Sequence, residues 1–307
     1  MTGVREKRLQ PGTMRPKGDG GPVNWKCFSA PLDAHEEREF TAFMHELIGQ
    51  AFCVIRPYFL AGARVHIKAD ASPVTKADRE AEAALRRLIE TRYPQHGIVG
   101  EEYGERPGGR YRWILDPIDG TKAFISNCFL FGTLIALERD DGDGHRPVLG
   151  CIAHAAAGFA LIGHRRGTTL FGADGTRRQA RVRAARTLAQ STVLATALPG
   201  SRDEDSDPSM LRIVQRAALA RTWGDCFGYF ALATGGADAM LDPVLSYWDV
   251  AAVVPVIEGA GGRVTSWSGG DPLSRPSLIA SSGTLHEEIL ALLQGEKPAD
   301  GSRPEQS

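Results

Sequence analysis

Residues 113–124 read Trp-Ile-Leu-Asp-Pro-Ile-Asp-Gly-Thr-Lys-Ala-Phe, and this stretch carries more chemical information than any other part of the chain. Two carboxylates, Asp116 and Asp119, stand three residues apart behind a short apolar run. Mg²⁺ takes oxygen ligands of this kind and often shares its coordination shell with a phosphate. If Gly120 and Thr121 open a helix, their backbone N–H groups point at that anion. The residues therefore predict a cation and phosphate site, with an Asp-Pro-x-Asp-Gly surface turn as the alternative.

The composition is that of an ordinary globular protein. With 307 residues and 42% hydrophobic content, the chain can bury one large core or two subdomains with a shared core. The formal net charge of −1 gives no overall field that favours nucleic acid or an anionic membrane. No segment is long and apolar enough to span a membrane. The five cysteines include no C-x-x-C pair, so we expect reduced thiols in a cytoplasmic protein and neither disulfides nor a zinc site.

The composition changes along the chain and predicts its organisation. Residues 1–33 are rich in Gly, Pro, Lys and Arg without periodicity, and we expect a disordered tail there and another over 297–307. Residues 34–185 read as two helices followed by several strands, an α+β subdomain that holds most of the candidate metal ligands. Residues 186–296 alternate strands and helices, which is typical of an α/β subdomain.

Hydrophobic periodicity and turn residues predict the individual elements. Helices are expected over 35–58, from Thr75, over 209–220, 226–234 and 248–260, and from Thr284. Strands are expected over 98–100, 111–115, 131–138, 147–153, 159–163, 168–171, 191–197, 238–241 and 263–267. Asp-Pro should end the strand 111–115.

Three further acidic residues lie beside the ends of predicted elements. Glu101 follows the strand 98–100, Asp78 lies in the first turn of a helix, and Asp249 begins another helix. Each has an ordinary explanation, because Asp78 and Asp249 can cap a helix or complement its dipole and Glu101 can be a loop charge. Spacing alone does not bring these segments together.

Four motifs together resemble one family of enzymes. The sequence Asp-Pro-Ile-Asp-Gly-Thr-x-x-Phe (116–124) resembles the first signature of the inositol monophosphatase-like family of metal-dependent phosphatases. Trp-Asp-Val-Ala-Ala and the Glu-Gly-Ala-Gly-Gly that follows it (248–262) resemble the second signature. Gly-Glu-Glu (100–102) and Ser-Pro-Val-Thr-Lys-Ala-Asp (72–78) resemble two further landmarks. All four occur in the family's order, and the resemblance covers residues 35–293.

The resemblance implies a fold and an assembly. The fold would be a layered αβαβα sandwich of two subdomains that divide near residue 185, with the metal site between them. Members of the family are commonly homodimers, so we expect a homodimer.

The resemblance also implies roles for individual residues. The ligands of two or three Mg²⁺ ions would be Glu101, Asp116, the Ile118 carbonyl, Asp119 and Asp249. Glu101 and Thr121 would orient the attacking water, and Asp78 would hold waters of the third, weaker metal. The amides of Gly120 and Thr121 would bind phosphate oxygens. Nothing in the sequence marks an activated nucleophile, so we expect no covalent phosphoenzyme.

The residues around the first signature favour one branch of the family. Lys122 stands where inositol monophosphatases usually carry Thr, and a lysine there resembles the histidinol-phosphate or the 3′-phosphoadenosine 5′-phosphate phosphatases. The stretches Leu-Phe-Gly-Thr-Leu-Ile-Ala-Leu (130–137) and Trp-Gly-Asp-Cys-Phe-Gly-Tyr (223–229) resemble the histidinol branch. We therefore expect hydrolysis of L-histidinol phosphate, with a plain solvated Lys122 as the alternative.

The chemistry of this substrate is consistent with two further acids. Histidinol phosphate carries an ammonium and an imidazole, and Asp225 and Asp242 can face them. Asp242 matches a position where inositol phosphatases place a substrate-contacting Glu, whereas Asp225 could equally be a helix N-cap. The segment 151–157 lacks the Pro and acidic residues that the family often carries there, which leaves fine specificity open. None of the eight histidines is assigned to catalysis.

Other functions compete with this interpretation. The substrate could be inositol-1-phosphate, 3′-phosphoadenosine 5′-phosphate or a range of sugar phosphates. A catalytically silent member of the family that acts by binding is a further alternative. In each enzymatic case the partner is a small-molecule phosphate ester, and neither nucleic acid nor membrane is expected.

Overall fold

The computed structural model describes seven ranges of the chain. They are residues 30–61, 65–67, 73–184, 187–197, 208–274, 277–283 and 285–295. The two predicted tails lie outside the described residues, apart from 30–33, and so does the predicted subdomain boundary near residue 185.

The described residues form seven α-helices and fifteen strands. The helices are α1 (Ala34–Ile55), α2 (Lys76–Arg92), α3 (Thr121–Ile125), α4 (Leu211–Val214), α5 (Asp225–Ala233), α6 (Tyr247–Gly259) and α7 (Leu285–Leu293). The strands are β1 (Val65–Ile67), β2 (Pro73–Thr75), β3 (Gly97–Gly100), β4 (Gly104–Arg106), β5 (Tyr111–Asp119), β6 (Gly132–Asp140), β7 (His145–His154), β8 (Phe159–His164), β9 (Gly167–Gly172), β10 (Arg177–Ala180), β11 (Thr192–Ala195), β12 (Leu219–Arg221), β13 (Ala239–Asp242), β14 (Gly262–Thr265) and β15 (Leu278–Ser282).

Capping residues fix where the two N-terminal helices begin. Asp33 accepts hydrogen bonds from the amides of His35 and Glu36, and Glu36 accepts one from the amide of Asp33 in return. Thr75 and Asp78 form the same reciprocal arrangement at the start of α2. Each arrangement satisfies backbone donors that a helix leaves unpaired at its first turn. The predicted starts of both helices are therefore confirmed to within one residue.

Eight strands form the first sheet in the order β10-β9-β8-β7-β6-β5-β3-β4. Neighbouring strands are antiparallel except β3 and β5, which run parallel with Gly100 opposite Leu115. The carboxyl ends of two parallel strands meet at one edge of a sheet. Glu101, which follows β3, therefore lies beside Asp116, which follows Leu115 in β5.

Five strands form the second sheet in the order β12-β11-β13-β15-β14. β11 is parallel to both β12 and β13, whereas β15 is antiparallel to β13 and β14. This mixed sheet is built from the second half of the chain.

The helices complete a five-layered arrangement. α1 and α2 pack on each other and on the outer face of the first sheet, and α5 and α6 lie between the two sheets. α7 packs on the far side of the second sheet, with α4 beside it. The predicted layered αβαβα fold is thus confirmed. Among the described residues, the helices are too short or too polar to cross a bilayer.

Helix α6 lies unusually close to the first sheet. A Cβ at Gly150 of β7 would come 2.2 Å from the carbonyl oxygen of Ala252, and one at Gly163 of β8 would come 2.4 Å from the Cα of Val256. Both distances are far below any real contact, so only glycine admits the helix at these positions. The central helix, which carries Asp249 near its start, is thereby pressed directly against the sheet that carries Asp116 and Asp119.

Two predictions about elements are wrong. β5 does not end at Asp116 but continues through Pro117 to Asp119, because a bulge opposite β6 accommodates the proline. The helix predicted over 209–220 is limited to α4, since the following residues leave it to pair as the edge strand β12 with β11. Tertiary strand pairing overrides local helix propensity there. No strand was predicted at β1, β2, β4, β10, β12 or β15.

Candidate active site

The bulge in β5 sets the geometry of the candidate site. Asp116 pairs with Leu134 of β6 and Asp119 pairs with Gly132, so two residues between them are out of register. The hydroxyl of Thr133 donates to the carbonyl oxygen of Pro117 at 2.8 Å and holds the bulge. An irregular strand can aim side chains that an ideal strand would point to opposite faces. The bulge thus brings both carboxylates to one place.

Asp249 reaches the same place from helix α6. It is the third residue of the helix, and its Oδ2 accepts a hydrogen bond from the amide of Ser246 at 2.7 Å. One carboxylate oxygen from each of Asp116, Asp119 and Asp249 lies within 4.8 Å of the other two. The hydrogen bond at the start of α6 therefore fixes the position of Asp249. At that position Asp249 forms a three-carboxylate cluster with Asp116 and Asp119.

Burial and mutual repulsion disfavour the charged forms of these acids. Burial is the main cause that raises the pKa of Asp116 well above its ordinary value, and repulsion from Glu101, Asp119 and Asp249 adds to it. Burial, with repulsion between neighbouring carboxylates, likewise raises the pKa of Asp119 and of Asp249 to about 7. Three clustered anions of this kind are stabilised by a cation between them.

The residues present fit a hard divalent cation. Oδ1 of Asp116 is buried and has no hydrogen-bond partner among the described residues. A buried acceptor without a donor is costly, and a cation satisfies it. The ligand atoms of the cluster are all carboxylate oxygens, which suits Mg²⁺ rather than a metal that prefers nitrogen or sulfur.

Glu101 and Ile118 flank the cluster. The amide of Glu101 donates to the carbonyl oxygen of Leu115 at 3.2 Å, so its main chain continues the pairing of β3 with β5. Its carboxylate adds to the raised pKa of Asp116 and Asp249 by charge repulsion. The carbonyl oxygen of Ile118 accepts the hydroxyl of Thr121 at 3.1 Å. The metal-ligand roles of Glu101 and of the Ile118 carbonyl oxygen stay predictions.

Asp78 caps a helix, and it keeps this structural role alongside its predicted role of holding waters near the metal. Its Oδ2 accepts hydrogen bonds from the amide and the hydroxyl of Thr75, at 2.8 and 2.6 Å. The side chain is buried, and burial raises its pKa, with a further contribution from Glu101. Asp78 therefore caps helix α2 and also faces the charge of Glu101.

Gly120 links the two halves of the site. Its φ of +77° lies in the left-handed region, which glycine adopts without strain. A Cβ at this position would come 2.8 Å from Oδ2 of Asp225. Gly120 thus allows helix α3, which starts at Thr121, to turn directly beneath the start of helix α5.

Asp225 is the first residue of helix α5, and Gly224 is the N-cap. The N-cap interpretation of Asp225 is therefore wrong. Its φ of +50° is uncommon for a residue other than glycine, and its amide donates to the hydroxyl of Thr196 at 3.0 Å. The strained backbone aims the residue into a cavity next to the carboxylate cluster.

That cavity has a volume of ≈ 220 Å³ and is bounded by residues of both halves of the chain. Its lining consists of Asp119, Leu134, Thr196, Asp225, Cys226, Tyr229, Val244, Leu245, Ser246, Asp249 and Val253. Three of these are acids, and no basic residue is among those that the structure describes there. The cavity suits a small molecule that carries positive charge beside apolar groups.

Two further predicted substrate contacts, Lys122 and Asp242, do not line the cavity. Lys122 is exposed on helix α3. Asp242 is buried, and its two oxygens accept hydrogen bonds from the hydroxyl of Tyr229 at 2.6 Å and from the amide of Thr196 at 3.1 Å. Asp242 therefore supports two lining residues and is not one of them. Substrate contacts of Lys122 and Asp242 stay predictions.

Sequence reasoning missed the contribution of Cys226. Its backbone amide donates to Oδ2 of Asp119 at 2.5 Å, and its buried side chain lines the cavity. This contact lowers the pKa of Asp119 against the larger effect of burial. No sequence signal could have revealed it, since the donor is a main-chain atom that every residue except proline carries.

Comparisons with known proteins agree with the geometry. The sequence model of the Inositol monophosphatase family matches residues 36–297. A histidinol-phosphatase from Chlorobaculum parvum is 36% identical over 237 residues, which cover 76% of this chain and 88% of that protein. An inositol-1-monophosphatase from Caulobacter vibrioides is 32% identical over 239 residues, which cover 75% of this chain and 91% of that protein.

A solved structure shows the same likeness in three dimensions. An inositol monophosphatase from Zymomonas mobilis superimposes with a TM-score of 0.72 at 35% identity, over 86% of this chain and all of that one (100%). Two different substrate names therefore occur among relatives of comparable similarity.

Proposed function

Because this chain belongs to the inositol monophosphatase family, we propose that it is a Mg²⁺-dependent phosphomonoesterase whose substrate is L-histidinol phosphate. Members of the family hydrolyse phosphate monoesters of small molecules and use Mg²⁺. The substrate, the number of ions and the role of each residue are the parts that we propose.

The observation that carries the proposal is the carboxylate cluster beside an acidic cavity, which Asp119 and Asp249 help to line. Asp116, Asp119 and Asp249 would hold Mg²⁺, together with Glu101 and the carbonyl oxygen of Ile118. Bound Mg²⁺ supplies Lewis-acid chemistry, which lowers the pKa of a water and offsets the negative charge of the phosphate and of the leaving oxygen.

The chain's own residues would orient the reactants. We assign Glu101 and Thr121 to the attacking water and Asp78 to further waters at the edge of the cluster. The amides of Gly120 and Thr121 would donate to phosphate oxygens, where preorganised donors stabilise developing charge. The hydroxyl of Thr121 is already held by the carbonyl oxygen of Ile118, which fixes its rotamer.

The lining of the cavity favours a substrate whose leaving group carries positive charge. Asp225 lines it beyond the cluster, and no described lining residue is basic. An ammonium beside a partly desolvated carboxylate gains Coulomb energy, whereas an uncharged polyol does not. The apolar side chains Leu134, Val244 and Leu245 offer a surface for an imidazole ring or its carbon chain. The similarity to a histidinol-phosphatase supports the same choice.

Inositol-1-phosphate is the second candidate substrate. It is favoured by the similarity to proteins named inositol monophosphatase. The acidic residue that would contact inositol is Asp242, whose oxygens are bonded to Tyr229 and Thr196. Asp242 is buried and does not line the cavity, so its contact with inositol would require a local rearrangement.

A phosphate-release assay tests the proposal. The purified chain is supplied with Mg²⁺ and, separately, with histidinol phosphate, inositol-1-phosphate and 3′-phosphoadenosine 5′-phosphate. We expect the highest kcat/KM on histidinol phosphate. A higher value on either of the other esters would replace the proposed substrate. Absence of Mg²⁺ binding in calorimetry, with no release from any ester, would favour a catalytically silent homologue.

A further inference from the structure

Glu82 of helix α2 lies directly beneath the turn that carries Glu101. Its side chain is fully buried, with 0% exposure. One carboxylate oxygen accepts the amide of Glu102 at 2.7 Å, and the other accepts the amide of Tyr103 at 3.2 Å. A buried carboxylate that accepts two successive backbone donors fixes the conformation of that backbone.

Arg86 completes the attachment. Its Nε donates to Glu82 Oε1 at 2.7 Å, and its terminal nitrogen donates to the carbonyl oxygen of Gly104. The guanidinium also lies over the ring of Tyr103, 5.9 Å from its centroid. The ion pair with Arg86 compensates the buried charge of Glu82. Glu82 and Arg86 thus hold both ends of the turn 101–104.

The Glu82 carboxylate packs directly against the backbone of Gly100. A Cβ at Gly100 would come 2.0 Å from Glu82 Oε1 and 2.4 Å from its Cδ. Only glycine therefore lets helix α2 approach the end of β3 so closely. On the other side, the amide of Glu101 is bound to the carbonyl oxygen of Leu115 in β5. The main chain around Glu101 is fixed from both directions.

Helix α2 serves the site with two side chains. Asp78 and Glu82 are four residues apart, which places them on the same face of the helix. Asp78 faces the charge of Glu101, and Glu82 holds the turn behind it. Helix α2 therefore fixes the positions of both Asp78 and Glu82 next to the segment that carries Glu101.

We propose that Glu82 is a positioning residue that fixes the turn 101–104 and so holds the Glu101 carboxylate at the metal cluster. The inference rests on the proposed function, because it treats Glu101 as a metal ligand. Without the Glu82 carboxylate, the amides of Glu102 and Tyr103 and the guanidinium of Arg86 lose their shared acceptor. The turn then relaxes, and Glu101 no longer meets the cation in a fixed geometry.

The test compares Glu82→Gln with Glu90→Gln in the full chain. Glu90 lies on the same helix, but its side chain is 44% exposed and faces Arg106 at 3.7 Å, so the same chemical change there is a matched control. Calorimetric titration with Mn²⁺ or Mg²⁺, without substrate, should show about 10- to 100-fold weaker binding for Glu82→Gln, as for other residues that orient metal ligands. Glu90→Gln should bind the metal like the wild type.

Two further readouts separate positioning from general destabilisation. Hydrogen exchange of the Glu102 and Tyr103 amides should accelerate in Glu82→Gln while the amides of the central strand β6 keep their protection. The kcat should fall, and the KM for the ester should stay near the wild-type value, since Glu82 touches no part of the cavity. Glu82→Asp keeps the charge with a shorter reach and should bind the metal with intermediate affinity.

The outcomes are distinguishable. If the wild type binds metal and both Glu82 variants bind it equally well, with unchanged exchange at the turn, the positioning role is overturned and the proposed function stands. If protection is lost throughout β6 as well, Glu82 only stabilises the fold and the inference is again overturned. If the wild type itself binds no divalent metal, the proposed function is wrong, and the inference that rests on it is overturned as well.

Discussion

The backbone amide of Cys226 donates a hydrogen bond to Asp119 Oδ2 at 2.5 Å, and this bond joins helix α5 to the bulged end of strand β5. Cys226 lies in the first turn of α5, where unpaired N–H groups and the helix dipole favour negative charge. Asp119 is thus oriented by the second half of the chain although it belongs to the first. The cavity opens at this junction, with Asp225 one residue away from the donor.

Asp225→Asn should change substrate preference more than overall activity. Asparagine tolerates the left-handed backbone of this position, so the fold should be retained. Removing the charge should lower kcat/KM on histidinol phosphate by about tenfold, which corresponds to about 1.4 kcal/mol of ion pairing. The value on inositol-1-phosphate should change little. Steady-state kinetics on the two esters measures the ratio, and an equal loss on both would refute a contact with the ammonium.

Asp116→Asn should stabilise the metal-free protein. Burial and the neighbouring carboxylates raise the pKa of Asp116, so its charged form opposes folding at pH 8. A neutral side chain of the same shape removes that repulsion, and each 1 kcal/mol gained raises the unfolding midpoint by about 2–4 °C in a chain of this size. Thermal unfolding in chelator measures the shift. Asp143→Asn in an exposed loop is the control, and a lower midpoint for Asp116→Asn than for wild type would contradict the electrostatic description.

Stabilisation by Mg²⁺ should grow as the pH rises. The pKa of Asp119 and of Asp249 is raised from 3.8 to about 7 in the folded chain, so the folded state binds protons more tightly than the unfolded state. That contribution to stability is complete below about pH 4 and is lost as the pH rises through about 7. Mg²⁺ replaces these protons, so the gain in unfolding midpoint on adding it should increase from pH 5 to pH 8.

The quantity to measure at each pH is the difference between the unfolding midpoints with and without Mg²⁺. Burial lowers the pKa of half-buried His96 and of buried His154 and His286, and their titration changes stability with the opposite sign. Because these histidines titrate with and without Mg²⁺, their effect cancels in the difference. A gain that is constant between pH 5 and pH 8 would show that the cation does not bind at the raised carboxyls.

The sequence predicts local features of this protein better than contacts between distant segments. The capping box at Thr75 and the strand that leads to Asp116 are encoded by neighbouring residues, so both could be predicted. The continuation of β5 through Pro117 depends on its pairing with β6, and the short α4 depends on the pairing of β12 with β11. No local pattern reports such pairing.

The same distinction holds for the candidate site. The acids of the carboxylate cluster were found because the residues around them resemble the signatures of a family, whereas their mutual distances come only from the fold. The contact of Cys226 with Asp119 and the seat of Glu82 under the turn involve main-chain donors, which leave no mark on the sequence. The subdomain boundary near 185, the homodimer and the cytoplasmic location stay predictions.

The central claim is that the cluster of Asp116, Asp119 and Asp249 holds the Mg²⁺ that hydrolysis requires, and one measurement tests it most directly. Phosphate release from histidinol phosphate is followed against Mg²⁺ concentration for the wild type and for Asp116→Asn. We predict release that depends on Mg²⁺ in the wild type and a loss of at least about 10²–10³-fold in kcat for the variant, the scale of removing one group that stabilises transition-state charge. Full activity of Asp116→Asn, or release by the wild type in excess chelator, would contradict the account.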